Sequence, residues 1–469
     1  MGTRGSKVIK SILSSLASLR LTVVLFAMSM FLVLAGTVAQ IDKSIWRVTG
    51  EYFRCFIAWI DLAVFFPRAW SVPGGLYFPG GWLIGSVLVL NLLAAHAVRF
   101  KVRASGLRLG VGLVVLAAGS VLIWMVFRGV FAQEVAATEG DAFWRVLRRL
   151  ALGGGVAIVL LAGCLLLFRK RAGIVMIHGG VLMLLVSELV TGLFAVEGQM
   201  TINQGETVNF VTHTRSVELA FIDRSDSRFD QVVVVPKALV TQPGLVQRDE
   251  LPFDIEVLKY MRNCELRSAS AIGGAANNPA TAGSGLLAVA VEQPEASGTD
   301  ASQRVDVPAA YVKLTKKGGA EPLGTYLVTV WLPAPELPPQ TVMVDGKTYE
   351  IALRFARSYK PYSLELLEFR HDKYVGTQKP KNFSAKVRLV DESRGVDRVV
   401  KIWMNNPLRY AGETFYQSSF EPGRDLTRLQ VVRNDGWMLP YLACMIVGLG
   451  LTIHFGMHLI GFLRRRGQA

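Results

Sequence analysis

The sequence predicts an integral membrane α-helical bundle of about six spans joined to a large, mostly β extracytoplasmic domain. Three observations predict it. The 469 residues are 51% hydrophobic with a mean hydropathy of +0.36, too apolar for a soluble protein of this size. The net charge of +15 is concentrated in four places: Arg4, Lys7, Lys10 and Arg20; Arg99, Lys101, Arg103 and Arg108; Arg169, Lys170 and Arg171; and Arg464, Arg465 and Arg466. These fourteen basic residues border apolar segments with no acid among them, which is the bias of cytoplasmic loops and not the footprint of a nucleic-acid-binding surface. Residues 197–436, by contrast, carry both signs of charge around runs such as QVVVVP, TYLVTVWL, AKVRLV and RVVKIW, which read as strands.

Taken in order, the spans are 21–39, 81–98, 109–127, 151–168, 172–196 and a last one within the C-terminal region 437–469, whose tail is basic. The first ends in AGTVAQ, which resembles a signal-peptidase site, yet keeping it closes the topology with both termini cytoplasmic. Residues 40–80 are rich in aromatics and interrupted by Arg54, Asp61 and Pro67, as suits an interfacial segment better than another span. Within 197–436, residues 268–305 are rich in Ala, Gly, Ser, Asn and Pro, the composition of a flexible insertion. Cys55, Cys164, Cys264 and Cys444 form no CxxC and no zinc spacing. Cys55 and Cys264 are able to pair, although two free or buried thiols are the commoner arrangement.

Histidine is costly in lipid, at roughly 2.5–3.5 kcal/mol for an ionisable group on insertion scales, so intramembrane histidines mark function by default. Four of the six, His96, His178, His454 and His458, fall inside spans and in their cytoplasmic halves. Neutral imidazole is a strong axial ligand for haem iron, and an apolar bundle supplies dry surroundings. Haem b is therefore the expected cofactor, with interhelical hydrogen bonding as the alternative. His454 and His458 share a helical face and cannot clamp one iron from opposite sides. Glu188 suits a proton or propionate role, or a structural hydrogen bond. In the β region no nucleophile–base pair, phosphate loop or acidic metal cluster appears.

Three stretches carry a resemblance: SSLASLRLTVVLFAMSMFLVLAGT in the first span, HGGVLMLLVSELVTGLFAVEGQMTINQGE from His178 onward, and above all NNPLRYAGETFYQSSF before the last span. They resemble the ResB family of cytochrome c biogenesis proteins. The resemblance implies a place in the System II pathway, in which a ResB protein and a CcsA-type partner move haem to the outer face and present it to apocytochrome c. It matches His178 to the family's membrane histidine, with His96 as second choice and His458 and His454 as further candidates. The chain then acts as an accessory or non-catalytic part of a haem lyase complex. Asn406, Pro407, Leu408, Tyr410, Gly412, Phe415, Tyr416 and Gln417 form the motif expected to hold a partner or to seat the domain on the bundle. The tryptophan-rich motif of the partner is absent, so the chain resembles the ResB half alone, and the pair of spans between 109 and 168 departs from the family's simplest members. A haem-free scaffold and a haem b electron-transfer protein remain the alternatives.

Overall fold

Apolar helices of membrane length are set by a hydrocarbon core of about 30 Å, which takes about 20 residues at 1.5 Å per residue. Among the described residues five helical stretches qualify, and the fourth of them, Leu147–Phe194, is 48 residues long. At roughly 72 Å it cannot cross once. It breaks at a 3-10 turn, Arg169–Arg171, where Arg169 adopts a left-handed φ of 53°, and the helices on either side pack against each other. The helices are thus α1 (Leu19–Ala39), α2 (Gly81–Arg99), α3 (Gly106–Phe127), α4 (Asp141–Phe168), α5 (Ala172–Phe194) and α6 (Leu439–Arg466). This computed structural model describes residues 11–468 apart from 68, 71, 100–101, 103, 129–140, 227, 273–277, 297–305, 320–321, 333–337, 378–379 and 420–424. Arg4, Lys7, Lys10, Lys101 and Arg103, counted among the cytoplasmic charges, lie outside the described residues.

Helix association in lipid relies on close packing and on polar side chains that find each other. Both occur. Asn91 of α2 accepts from Thr22 of α1 at 2.8 Å and donates to the Ser18 carbonyl at 3.1 Å. α5 and α6 approach so closely that a Cβ at Gly173, Gly180 or Gly450 would meet the opposing backbone at about 3 Å. Arg108, at the start of α3, donates to the carbonyls of Leu166 at 2.8 Å and Leu165 at 3.1 Å, satisfying orphan acceptors at the end of α4. α4 begins ten residues before the expected 151, because DAFWRVLRRL continues the helical pattern and Arg149 lies 4.9 Å over the Trp437 ring. Between α1 and α2 the chain forms an antiparallel hairpin, β1 (Ile57–Asp61) with β2 (Gly75–Pro79).

The chain divides into two compact units: residues 1–35, 50–209 and 361–469 form the first, and 36–49 with 210–360 the second. The expected single domain 197–436 is thus shared between them. β3 (Val196–Asn203) and β4 (Thr207–Asp223) lead out of α5. The second unit then adds β5 (Gln231–Pro236), β6 (Gly244–Val246), β7 (Phe253–Met261), β8 (Cys264–Ser268), β9 (Ala288–Glu292), β10 (Ala309–Lys316), β11 (Pro322–Thr329) and β12 (Gln340–Val344). Its core holds one cluster including Leu219, Phe221, Phe253, Ile255, Val312, Val328 and Leu353 and another including Met261, Cys264, Ala309, Tyr311 and Leu327. Glu295 fastens the one-turn helix Ile45–Val48 to this unit through Ser44, Arg47 and Arg262, the last at 3.1 Å. Part of 268–305 is described, and there the chain is packed. β8 pairs with β9, Ser284 is buried, and a Cβ on Gly285 would collide with Ala280, so the small residues there serve close packing.

The first unit resumes at Pro361, within β13 (Lys347–Lys373), and continues with β14 (Pro380–Asp391), β15 (Val396–Trp403), β16 (Leu408–Tyr410), β17 (Glu413–Ser419) and β18 (Leu426–Arg433). Its strand order is β15-β14-β13-β4-β3-β18-β17-β16. Because β15 also lies against β16 and β17, the sheet curls almost closed. Leu364, Leu366, Val387, Leu389, Ile402, Phe415 and Leu429 fill it. All four cysteines are free thiols, and burial pushes Cys264 up to about 11.

Candidate functional site

The four membrane histidines sort into two pairs. His178 lies on α5 and His96 on α2, 82 residues apart in sequence, yet Nδ1 of His178 is 3.2 Å from Nε2 of His96. The rings meet edge to face, with centroids 4.9 Å apart and an interplanar angle of 81°. On its other side His96 Nδ1 lies 2.8 Å from the Leu92 carbonyl. A carbonyl only accepts, so His96 carries its proton on Nδ1 and offers the Nε2 lone pair to the Nδ1–H of His178. That chain fixes the His178 tautomer and leaves its Nε2 as the nitrogen bearing a lone pair. Imidazole–metal bonds are about 2.0–2.1 Å, so two nitrogens on opposite sides of one metal would stand about 4 Å apart. At 3.2 Å the pair is donor and acceptor, the relation of an outer-sphere partner to a metal-ligating histidine.

The local sequence His178-Gly179-Gly180 suits a bulky planar ligand. A Cβ on Gly180 would strike Val447 of α6, whereas one on Gly179 would meet nothing within 4 Å. One glycine therefore closes α5 onto α6, and its neighbour leaves open helix surface beside His178. Both rings of the pair are half-buried. The donor set and this cradle fit a planar macrocycle that the His178 imidazole would hold.

His454 and His458 lie one turn apart on α6, with ring centroids 4.6 Å apart. His454 packs where Gly173 admits it, and its Nδ1 is buried without a hydrogen-bond partner; His458 is exposed. They meet each other on α6, whereas His96 meets His178 between α2 and α5. Glu188 is exposed. Among the described residues no three His, Cys, Asp or Glu side chains gather as metal ligands would.

In the β part, Asn405–Ser419 makes a hairpin. Asn405 takes a positive φ of 62°, and Ala411 and Gly412 have φ of 49° and 79°, the signature of a two-residue type I′ turn. Asn406 and Trp403 exchange backbone hydrogen bonds, and Pro407 leads into β16. Leu408, Tyr410 and Phe415 are buried in the sheet interior, Gln417 bonds Thr427 at 2.8 Å, and Tyr416 is the motif's exposed aromatic. Residues that sequence reasoning missed hold this hairpin. Tyr410 donates to Asp391 at 2.7 Å, and Tyr362 donates to Glu413. Burial, reinforced by that bond to Glu413, raises the Tyr362 phenol well above its usual range, so it remains a donor. Trp437, just before α6, lies beneath the guanidinium of Arg409 at 4.0 Å, which links the hairpin to the start of the last span.

Residues 330–430, which include this hairpin, match the model of the ResB-like family. The chain is ResB-like over this region. A stretch of 118 residues, 25% of the chain, is 31% identical to Protein NrfI of Wolinella succinogenes. The aligned part covers 13% of that protein, so the chain corresponds to a small portion of its length.

Proposed function

We propose that this protein works in cytochrome c biogenesis, as the ResB-type component of a membrane complex that exports haem b and delivers it to apocytochrome c with a CcsA-type partner. The observation that supports this most is the Leu92–His96–His178 hydrogen-bond chain beside the open surface at Gly179. Haem here is cargo, and its iron supplies the Lewis-acid centre that an imidazole can hold. His178 Nε2 is the ligating atom. His96 holds the ring in the required tautomer and raises its basicity, as outer-sphere partners do. A second side chain to hold the iron would come from the partner or from another helix of this chain. The β part stands on the extracytoplasmic side and offers Tyr416 to a partner, while Leu408, Tyr410 and Phe415 keep its hairpin in shape.

A haem-free scaffold is the second reading, and the burial of Leu408, Tyr410, Glu413, Thr414 and Phe415 within the NNPLRYAGETFYQSSF motif favours it for the β part. Colour separates the two. The chain purified with its partner is expected to show a haem b spectrum that His178→Ala abolishes and that added imidazole partly restores. His96→Ala is expected to retain haem with roughly 10–100-fold weaker affinity, the usual cost of losing an outer-sphere partner. An unchanged spectrum in His178→Ala would remove haem ligation from this site.

A further inference from the structure

We infer that the β1–β2 hairpin is inserted in the membrane surface, with the face bearing Ile57, Trp59 and Tyr77 in contact with lipid at the headgroup–acyl boundary of the leaflet on the β side of the bundle. In β1 the side chains alternate strictly: Ala58 and Ile60 are fully buried, whereas Ile57 and Trp59 are 64% and 42% exposed. Tyr77 of β2 faces Trp59 in register, rings 4.7 Å apart, and is 77% exposed. Both faces of this two-stranded sheet are therefore apolar or aromatic, and the chain covers one of them. Residues 57–79 contain six aromatics and two charged side chains, Asp61 and Arg68.

Placement identifies the occupant. Phe31 of α1 packs against Phe78 at 4.9 Å and Phe65 at 5.8 Å. It precedes the end of α1 at Ala39 by eight residues, roughly 12 Å of helix. The hairpin thus lies alongside a span and does not rise above it. Its other end runs straight into α2: Gly80 N–H donates to the Phe56 carbonyl at 2.9 Å and Trp82 N–H to the Cys55 carbonyl at 3.2 Å. A side chain on Gly80 or Gly81 would collide with the backbone of Cys55 or Phe53, so the hairpin is fixed at the mouth of the span. A two-stranded sheet has open edges that hydrocarbon cannot satisfy. The boundary can, because water reaches the edges there while Trp and Tyr are favoured at that depth. Continuity with two spans makes lipid the partner that this face meets.

The test uses the full-length chain in vesicles of phosphatidylcholine and phosphatidylglycerol. Trp59→p-benzoylphenylalanine and Tyr77→p-benzoylphenylalanine are irradiated separately, and adducts are read by mass spectrometry. Val375→p-benzoylphenylalanine, on a fully exposed β turn, gives the background. Lipid adducts several-fold above background at both hairpin positions are expected. Adducts to protein alone would mean that a second copy or another membrane protein covers the face, and would overturn the proposal. Yields no higher than at Val375 would place the face in water and overturn it equally. If the Trp59 variant loses its native protease-resistance pattern, Tyr77, whose side chain projects outward, decides alone.

Discussion

Inside the curled sheet of the first unit two tyrosine hydroxyls are spent on two carboxylates, and this sets how the fold responds to acid. Asp391 accepts from Ser393 at 2.6 Å and from Tyr410 at 2.7 Å, and its Oδ1 also accepts the Arg394 amide. The Ser393 and Tyr410 hydroxyls, then the Arg394 amide and charge, hold its carboxyl below the usual carboxylate range. A group lowered in the folded state stabilises the fold above its unfolded pKa of about 3.9, and the contribution disappears as pH falls through the folded value. The solubilised wild-type chain is expected to lose more thermal stability than Asp391→Asn as pH falls from 4 toward 2.5, with the gap between them narrowing. Melting curves of the two proteins at stepped pH check this; a constant gap would remove Asp391 from the acid response. The residue types at both candidate sites were legible in the sequence, but their partners were not. His96 and His178 find each other across 82 residues and Tyr362 and Glu413 across 51, and nothing local in a sequence encodes such distances.

At the scale of elements, legibility followed the strength of the local pattern. The spans were legible because an apolar run of membrane length has few other solutions, and their ends fall within a few residues of expectation except for α4, whose first turns are amphipathic and aromatic. The type I′ turn at Ala411-Gly412 was signalled by its glycine. Among the described residues of 268–305, Ser284 and Gly285 are packed closely, because small residues serve close packing as well as flexibility, and composition does not distinguish the two. The same ambiguity makes His178-Gly179-Gly180 a sharp test. Gly180 meets Val447 and the Ala443 carbonyl of α6, while Gly179 is open. Gly180→Leu is expected to disrupt the α5–α6 contact, costing about 1–3 kcal/mol or more as overpacking does, and to lower the yield of protease-resistant chain. Gly179→Leu is expected to leave the fold intact and to weaken haem retention. Limited proteolysis and the haem spectrum, recorded on the same two preparations, separate the roles; equal loss of fold in both would show that Gly179 is a packing glycine.

The whole molecule alternates between two chemistries: helices in which polar side chains such as Thr22 and Asn91 or His96 and His178 meet across the bundle, and β units whose charges form ordinary surface ion pairs such as Arg388–Asp397. The division into units cuts across the expected 197–436 domain because two long strands, β4 and β13, each begin in one unit and end in the other, a crossing that strand-by-strand reading of a sequence does not detect. The proposed direction of the whole across the membrane rests on charge. Arg169–Arg171 and Arg464–Arg466 lie at one end of the α5–α6 pair, and the β strands leave from the other. Cytoplasmic loops keep an excess of basic residues, and the proposed function accordingly puts the β strands on the opposite side. Val375, on the fully exposed turn between β13 and β14, and Gln468, beyond the basic end of α6, report the two sides. With native cysteines blocked or replaced, Val375→Cys is expected to react with a membrane-impermeant maleimide in intact cells stripped of any outer barrier, and Gln468→Cys only after the membrane is opened. The reverse pattern would put the β units in the cytoplasm, where no apocytochrome receives exported haem, and the proposed delivery route would fail with it.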